Sequence, residues 1–341
     1  MDLGKLVDTT RSYLGLLRKA PIEEIYKRLL LPANAGPHLP GYGDDAAVIP
    51  FGGEYLLLAA DGIMPGLLIR EPYAAGKASV MVTVNDIYSM GGRPLAMVNV
   101  LASGDPEHRT QVIEGIRKGC EKLAVPMVGG HLHPDTPPDA PSLSVAILGH
   151  AKKLLRSHLA QPEDDLIFAA DLQGRPGCAS VLSWDANSGK TTRELLDRLE
   201  TLPLIAEREL SKAAKDVSNA GLLGTLAVMM ENSGTGAVID LEAIPVPQGL
   251  DLGSWIIAFQ SFGFVLSVPA HHSRDVLDLF GERAIHAAVV GRVTEERRVF
   301  LKAGAESRLL FDLEREKITG ITYRPRQGAE FSNDQRGSPL T

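Results

Sequence analysis

The chain has 341 residues, with 35 basic and 42 acidic side chains and a formal net charge of −7. At 44% hydrophobic and 23% charged it has ample apolar material for a core, which excludes a chain disordered throughout. The acid excess excludes a broad positive surface for nucleic acid. Cys120 and Cys178 are far apart and form no CxxC pair, which argues against a disulfide framework or structural zinc and for a reducing compartment. The first residues alternate charged with apolar side chains, unlike a signal peptide, and no window approaches the ~18 consecutive apolar residues of a membrane span. The expectation is a cytoplasmic protein of one large or two mid-sized domains, with no membrane and no nucleic-acid partner.

In chain order, Asp8 to Lys19 and Ile22 to Leu30 read as helices. The run PANAGPHLPGYG breaks the pattern with Pro and Gly. Strands are predicted over Ala46 to Ile49 and Tyr55 to Ala60, joined by a turn at Phe51-Gly52-Gly53. Pro72 to Met90 reads as a buried helix ending at Gly91-Gly92, followed by a strand from Leu95 to Leu101. Asp105-Pro106-Glu107 is a helix start with an N-cap, an early proline and a first-turn carboxylate. Val125 to Val128 reads as a short strand running into Gly129-Gly130-His131, and Ser142 to Leu148 as a strand closing this half.

Beyond a polar stretch between Gly149 and Asp165, the second half mixes helices and strands again. A strand is expected at Leu166 to Ala170, helices at Glu194 to Arg198 and Leu204 to Ala214, and an apolar helix from Asp216 to Met230. Strands follow at Gly236 to Asp240, Phe262 to Val268, Ala287 to Val290 and Ser307 to Phe311, with a helix at His271 to Phe280. The pattern divides the chain into an N-terminal helical segment (1–35), two α+β domains (36–150 and 151–325) and a disordered tail (326–341).

Four segments set an acidic residue beside glycine or inside an apolar run: GYGDDAAVI, LLLAADGIMPG, MVTVNDIYSMGG and AAKDVSNAGLLGTL. Asp86 stands out, because a carboxylate inside the run Val80 to Met90 is costly to bury unless it is paired, protonated or bound to a cation. Taken singly, Asp44-Asp45 and Asp61-Gly62 read as turns and Asp216 as an N-cap. Together they offer a hard cation such as Mg²⁺ the oxygen ligands it takes, with phosphate oxygens completing the shell. No Walker A, GxGxxG, HExxH or GxSxG pattern is present. His38, Arg70, Lys77, Arg93 and Lys215 are cations available to phosphate or substrate, and Lys215, next to Asp216, is the one preferred.

The motifs GDDAAVI, AADG, VNDIYSMGGRPLAMVNVL, VPMVGGH and KDVSNAGLLGTL, in this order over about residues 36 to 325, resemble the PurM-like superfamily. That superfamily contains aminoimidazole ribonucleotide (AIR) synthetase, selenophosphate synthetase, thiamine-monophosphate kinase and a hydrogenase-maturation dehydratase. NDIYSMGGRPLAMVNVL, LSVAILGHA and QSFGFVLSV most resemble its AIR synthase-related branch. The resemblance implies a two-domain α+β fold. Its N-terminal mixed sheet would form a barrel-like core in a homodimer, and its C-terminal domain an α/β sandwich. It implies ATP and Mg²⁺ as cofactors and phosphoryl transfer to a small-molecule acceptor that the sequence does not name, by a kinase-like, ligase or cyclase chemistry. By motif matching, Asp44, Asp86 and Asp216 are the implied Mg²⁺ ligands, with Asp86 and Asp216 catalytic. Asp61, Asn85, Gly129, Gly130, His131 and Lys215 are the implied nucleotide contacts.

Several departures separate the chain from individual members. It has no cysteine before Cys120, against the selenophosphate synthetases, and it ends SPLT, against the hydrogenase-maturation protein. Asn219 and His131 stand where thiamine-monophosphate kinases carry carboxylates, and the Glu that AIR synthetase has after its glycine pair is absent. A nucleotide-binding regulatory protein without turnover is the second reading that these departures leave open.

Overall fold

The structure, a computed structural model, describes residues 2–29 and 43–322. Most of the expected Pro/Gly break at 32–43 and the expected tail at 326–341 lie outside the described residues. Three helices come first: α1 (Leu3–Ser12), α2 (Leu14–Leu17) and α3 (Ile22–Leu29). The single helix expected from Asp8 to Lys19 is instead broken at Tyr13, whose φ of −67° and ψ of 121° are extended. Packing decides this: a Cβ on Gly15 would lie 1.9 Å from the Asn219 carbonyl oxygen, so only glycine admits that approach.

The first α+β unit runs β1 (Ala47–Phe51), β2 (Glu54–Gly62), α4 (Pro65–Arg70), α5 (Pro72–Ser89), β3 (Arg93–Ala102), α6 (Pro106–Leu123), β4 (Met127–His133) and β5 (Ser142–Ala151). Its five-stranded sheet has the order β1-β2-β5-β3-β4 and is mixed: β3 and β4 are parallel, joined across α6, and the other pairs are antiparallel. The hairpin at Gly52 (φ 61°) and Gly53 (φ 87°) is a tight left-handed turn that only glycine adopts without strain. Within one chain the sheet stays open at β1 and β4, so no closed barrel forms among the described residues. β4 continues through Gly129, Gly130 and His131, which therefore lie in an edge strand and not in a loop after it.

The second unit comprises β6 (Asp165–Ala170), β7 (Arg175–Pro176), β8 (Ser183–Asp185), α7 (Thr192–Leu199), α8 (Thr201–Glu207), β9 (Ala213–Asp216), α9 (Gly221–Ser233), β10 (Gly236–Asp240), α10 (Leu252–Trp255), β11 (Phe259–Gln260), β12 (Gly263–Val268), α11 (Ser273–Gly281), β13 (His286–Thr294), β14 (Arg298–Ala303) and β15 (Glu306–Asp312). A seven-stranded sheet of order β15-β14-β10-β13-β6-β12-β9 is its backbone, and β11, β8 and β7 form a small separate sheet. Two expectations fail here. Ala213 and Ala214, placed in a helix by their composition, pair with β12 as β9, because a fully buried edge position outweighs a propensity of a few tenths of a kcal/mol. Asp216 consequently ends a strand, and α9 begins only at Gly221.

Helix α5 is apolar on nearly every side because it is enclosed: it packs on α6, on β2, β3 and β5, and on β9 of the second unit. Glycines make the α5–α6 contact close. A Cβ on Gly76 would lie 2.1 Å from the Val112 carbonyl oxygen, and one on Gly115 would lie 2.1 Å from that of Tyr73. No helix among the described residues is long and apolar enough to cross a membrane. Gly115→Ala is expected to lower the melting temperature although alanine favours a helix by about 1 kcal/mol over glycine, since the added methyl must push α5 and α6 apart; thermal unfolding followed by circular dichroism measures it.

Candidate active site

A cavity of about 540 Å³ lies between the two units. The N-terminal half of α5 and the segment around 177–188 form one end, and Asp45, Asp61, Asp86 and Asp216 line the other. Each acid comes from a different element: Asp45 from the chain entering β1, Asp61 from β2, Asp86 from α5 and Asp216 from the end of β9. Carboxylate oxygens of Asp45, Asp86 and Asp216 all lie within 4.8 Å of one another. The donor set is all oxygen and of small radius, which fits a hard divalent cation such as Mg²⁺ and not a transition metal that prefers imidazole or thiolate.

Electrostatics say the same. Burial, together with the charges of Asp61 and Asp216, holds the Asp86 carboxyl well above the usual carboxylate range. Burial likewise raises Asp216, against the pull of Lys215, and Asp61, against the pull of Lys19. Such a cluster is short of positive charge, and a divalent cation would relieve it. Asp45 is the one acid already compensated. It pairs with Lys215 and accepts from Ser89 Oγ at 2.8 Å, one turn beyond Asp86 on α5. Burial in turn lowers the Lys215 ammonium.

The structure places Asp45, not Asp44, in the cluster. Asp44 also borders the cavity, but its carboxylate is fully buried and engaged by other groups. It accepts from Arg156 Nε at 2.5 Å and from the Ser157 amide at 2.8 Å, with His158 Nδ1 at 3.4 Å. Its hydrogen bonds and the Arg156 charge hold its carboxyl well below the usual range despite burial. Asp44 thus ties the chain entering β1 to the segment that leads into the second unit.

The other expected contacts divide. Asp61, Asp86, Lys215 and Asp216 line the cavity. Asn85 does not: it is 2% exposed and donates through Nδ2 to the Ser261 carbonyl at 3.1 Å, a tie between the units. Gly129, Gly130 and His131 lie on edge strand β4, outside this cavity, and Gly130 and His131 line a separate concavity against α6. Lys77 lines the far end of the cavity, where Nζ donates to Ser188 Oγ at 2.7 Å. Arg93 is engaged by Glu200 and Glu207, and His38 falls outside the described residues. The sequence reading missed Asp45, Ser89 and Lys19. Asp45 had a visible signal in the Asp-Asp pair, but adjacent side chains of a non-helical chain point to different sides, and only the fold shows which one enters the cavity.

Residues 43–151 match the AIR synthase related protein N-terminal domain and residues 164–304 the AIR synthase related protein C-terminal domain. An uncharacterised protein of Synechocystis is 41% identical over 320 residues, covering 94% of this chain and 99% of its own length. The chain belongs to the AIR synthase-related family, within the PurM-like superfamily. Among solved structures, Thermotoga maritima PurL complexed with ATP superposes with a TM-score of 0.68 at 19% identity, over 92% of this chain and 53% of that one. ThiL complexed with AMPPCP and TMP gives 0.64 at 19%, over 85% and 96%. These likenesses establish the fold, and the chain spans about half the length of PurL.

Two substitutions are expected to move stability in opposite directions. Asp44→Ala removes the buried carboxylate that accepts from Arg156 Nε and the Ser157 amide and should cost about 3–5 kcal/mol in denaturant unfolding. Asp86→Asn should raise the melting temperature of the metal-free protein at pH 8. The sign follows from the raised carboxyl: protonation favours the folded state, so this contribution is complete below about pH 3.9 and is lost as the pH rises through the raised native value. The gap between Asp86→Asn and the wild-type protein should therefore close as the pH falls, in melts recorded with a chelator present.

Proposed function

We propose that the protein is an ATP- and Mg²⁺-dependent enzyme that activates a small molecule by phosphoryl transfer. The observation that carries this reading is the convergence of Asp45, Asp86 and Asp216 at one end of a cavity large enough for a nucleotide and an acceptor. Relatives of the same fold bind ATP and AMPPCP, which supports it. In this reading Asp45, Asp86 and Asp216 would hold Mg²⁺. The metal would supply positive charge to the β- and γ-phosphates, where phosphoryl transfer is governed by positioning and electrostatics. Ser89 and Lys215 orient Asp45, Asp61 adds a further carboxylate beside Asp86, and Lys77, about 13 Å along α5 from Asp86, stands at the acceptor end.

The domain limits 36–150 and 151–325 belong to this proposal, as does a homodimer. The open five-stranded sheet exposes Leu58, Leu95, Val98 and Val100, and its edge strand exposes Val128 and Leu132, an apolar surface suited to a second copy. In such a dimer Gly129, Gly130 and His131 would reach a nucleotide only from the partner subunit. Sedimentation should find a dimer, and Val98→Glu combined with Val100→Glu should give a monomer. The alternative, a nucleotide-binding regulator without turnover, is favoured by Asn219, a neutral side chain on the cavity wall where kinases of this superfamily have an acid.

ATP with Mg²⁺ at one hundred times its dissociation constant should stabilise the protein by about 2.7 kcal/mol. Asp45→Asn should abolish this stabilisation, whereas ATP with a chelator should leave both proteins unchanged. Release of ADP during incubation with a panel of candidate small-molecule acceptors, followed by phosphorus NMR, separates the enzyme from the regulator: ATP that binds and stays intact across the whole panel speaks for the regulator.

A further inference from the structure

Helices α1 to α3 precede both matched domains, the first of which begins at residue 43. They are nonetheless fastened to the rest of the molecule at several independent points. Arg11 donates to the Leu310 carbonyl at 2.7 Å, forks onto Glu316 at 3.0 and 2.6 Å, and lies 5.0 Å above the Phe311 ring. Gly15 sits against the Asn219 carbonyl, in the loop that follows Asp216. Leu16, 3% exposed, covers Gly224 on α9. Glu23 accepts from Lys317 at 2.8 Å, and Arg18 Nη1 approaches Met64 Sδ at 3.1 Å. The turn between α2 and α3 is thus held at the rim of the cavity from both units.

Lys19 lies in that turn and lines the same cavity as Asp45, Asp61, Asp86 and Asp216. Its charge favours the ionised forms of Asp61, Asp86 and Asp216 against the effect of burial. Yet its side chain makes no hydrogen bond and no ion pair with any described residue. Lys215, the other lysine at this end, is committed to Asp45. Lys19 is therefore the cation at the carboxylate end that is left uncommitted among the described residues. A divalent ion on the carboxylates would take over the neutralisation that Lys19 now shares, leaving its ammonium for phosphate oxygens as a mobile point charge.

We propose that Lys19, delivered by the N-terminal helical segment, is a ligand of the terminal phosphate of a nucleoside triphosphate bound in this cavity. The segment is then part of the binding site. This assignment rests on the nucleotide reading above and adds to it a residue that lies outside both matched domains.

The test is calorimetric titration of the full chain with Mg²⁺·AMPPNP and, separately, with Mg²⁺·ADP. Lys19→Met should weaken AMPPNP by about tenfold, which is about 1.4 kcal/mol, and change ADP by less than about twofold. Lys19→Arg should keep most of the AMPPNP affinity, because the charge is retained. Melting curves confirm that each variant folds, and Lys19→Gln replaces Lys19→Met if the latter does not. Equal weakening of both nucleotides, or no weakening of either, overturns the assignment while leaving nucleotide binding intact. Failure of the wild-type chain to bind either nucleotide overturns the nucleotide reading, and this assignment with it.

Discussion

Three carboxylates held within a few ångströms of one another at the end of a cavity are the constraint on which the rest of the structure turns. Burial drives the Asp86 and Asp216 carboxyls upward, and added positive charge would favour their ionised forms beside Asp45. A fold selected only for stability would not keep such a cluster, because removing one member relieves it. Its place at the end of a cavity and its shortage of positive charge are the two observations behind the proposal of a hard cation and, through it, phosphate at this point.

Keeping the cluster together requires the two units to be locked in register, and the ties that do so are themselves polar and buried. Asp44 grips Arg156 and the Ser157 amide, Asn85 bonds the Ser261 carbonyl, and Lys215 crosses to Asp45. At the far end Glu71 accepts from the Ser180 amide at 2.7 Å and from the Ala179 amide at 3.2 Å. Each tie joins an element of the first unit to one of the second, so the cavity is walled by both. Two residues expected to touch the ligand, Asp44 and Asn85, make such ties between the units. Such partly buried polar bonds fix geometry more than they add stability.

Much of the local structure was legible in advance, and the reasons are local. The Gly52-Gly53 turn, the capped start of α6 and the apolar α5 each follow from residue chemistry within a few positions. Where the reading failed, a distant partner decided. β9 is a strand because β12 lies beside it. The helix stops at Tyr13 because Asn219 sits against Gly15. Gly129 to His131 run on in β4 because β3 offers them a parallel partner. Short alanine-rich or glycine-containing runs have no strong preference of their own, so tertiary pairing sets their state.

The sequence by itself determined the family, through five ordered motifs, and singled out acidic side chains beside glycine as candidates for the chemistry. It identified Asp61, Asp86, Lys215 and Asp216 as residues of interest, and the fold gathers all of them at one end of one cavity. Only the tertiary structure distinguished Asp44 from Asp45, because neighbouring side chains diverge: Asp44 engages Arg156, whereas Asp45 joins Asp86 and Asp216. Only it showed that Lys19, in a segment that precedes Asp45, Asp61, Asp86 and Asp216 in sequence, shares their cavity. Linear order records which groups are present, but the distances that set their electrostatic work exist only after the chain has closed on itself.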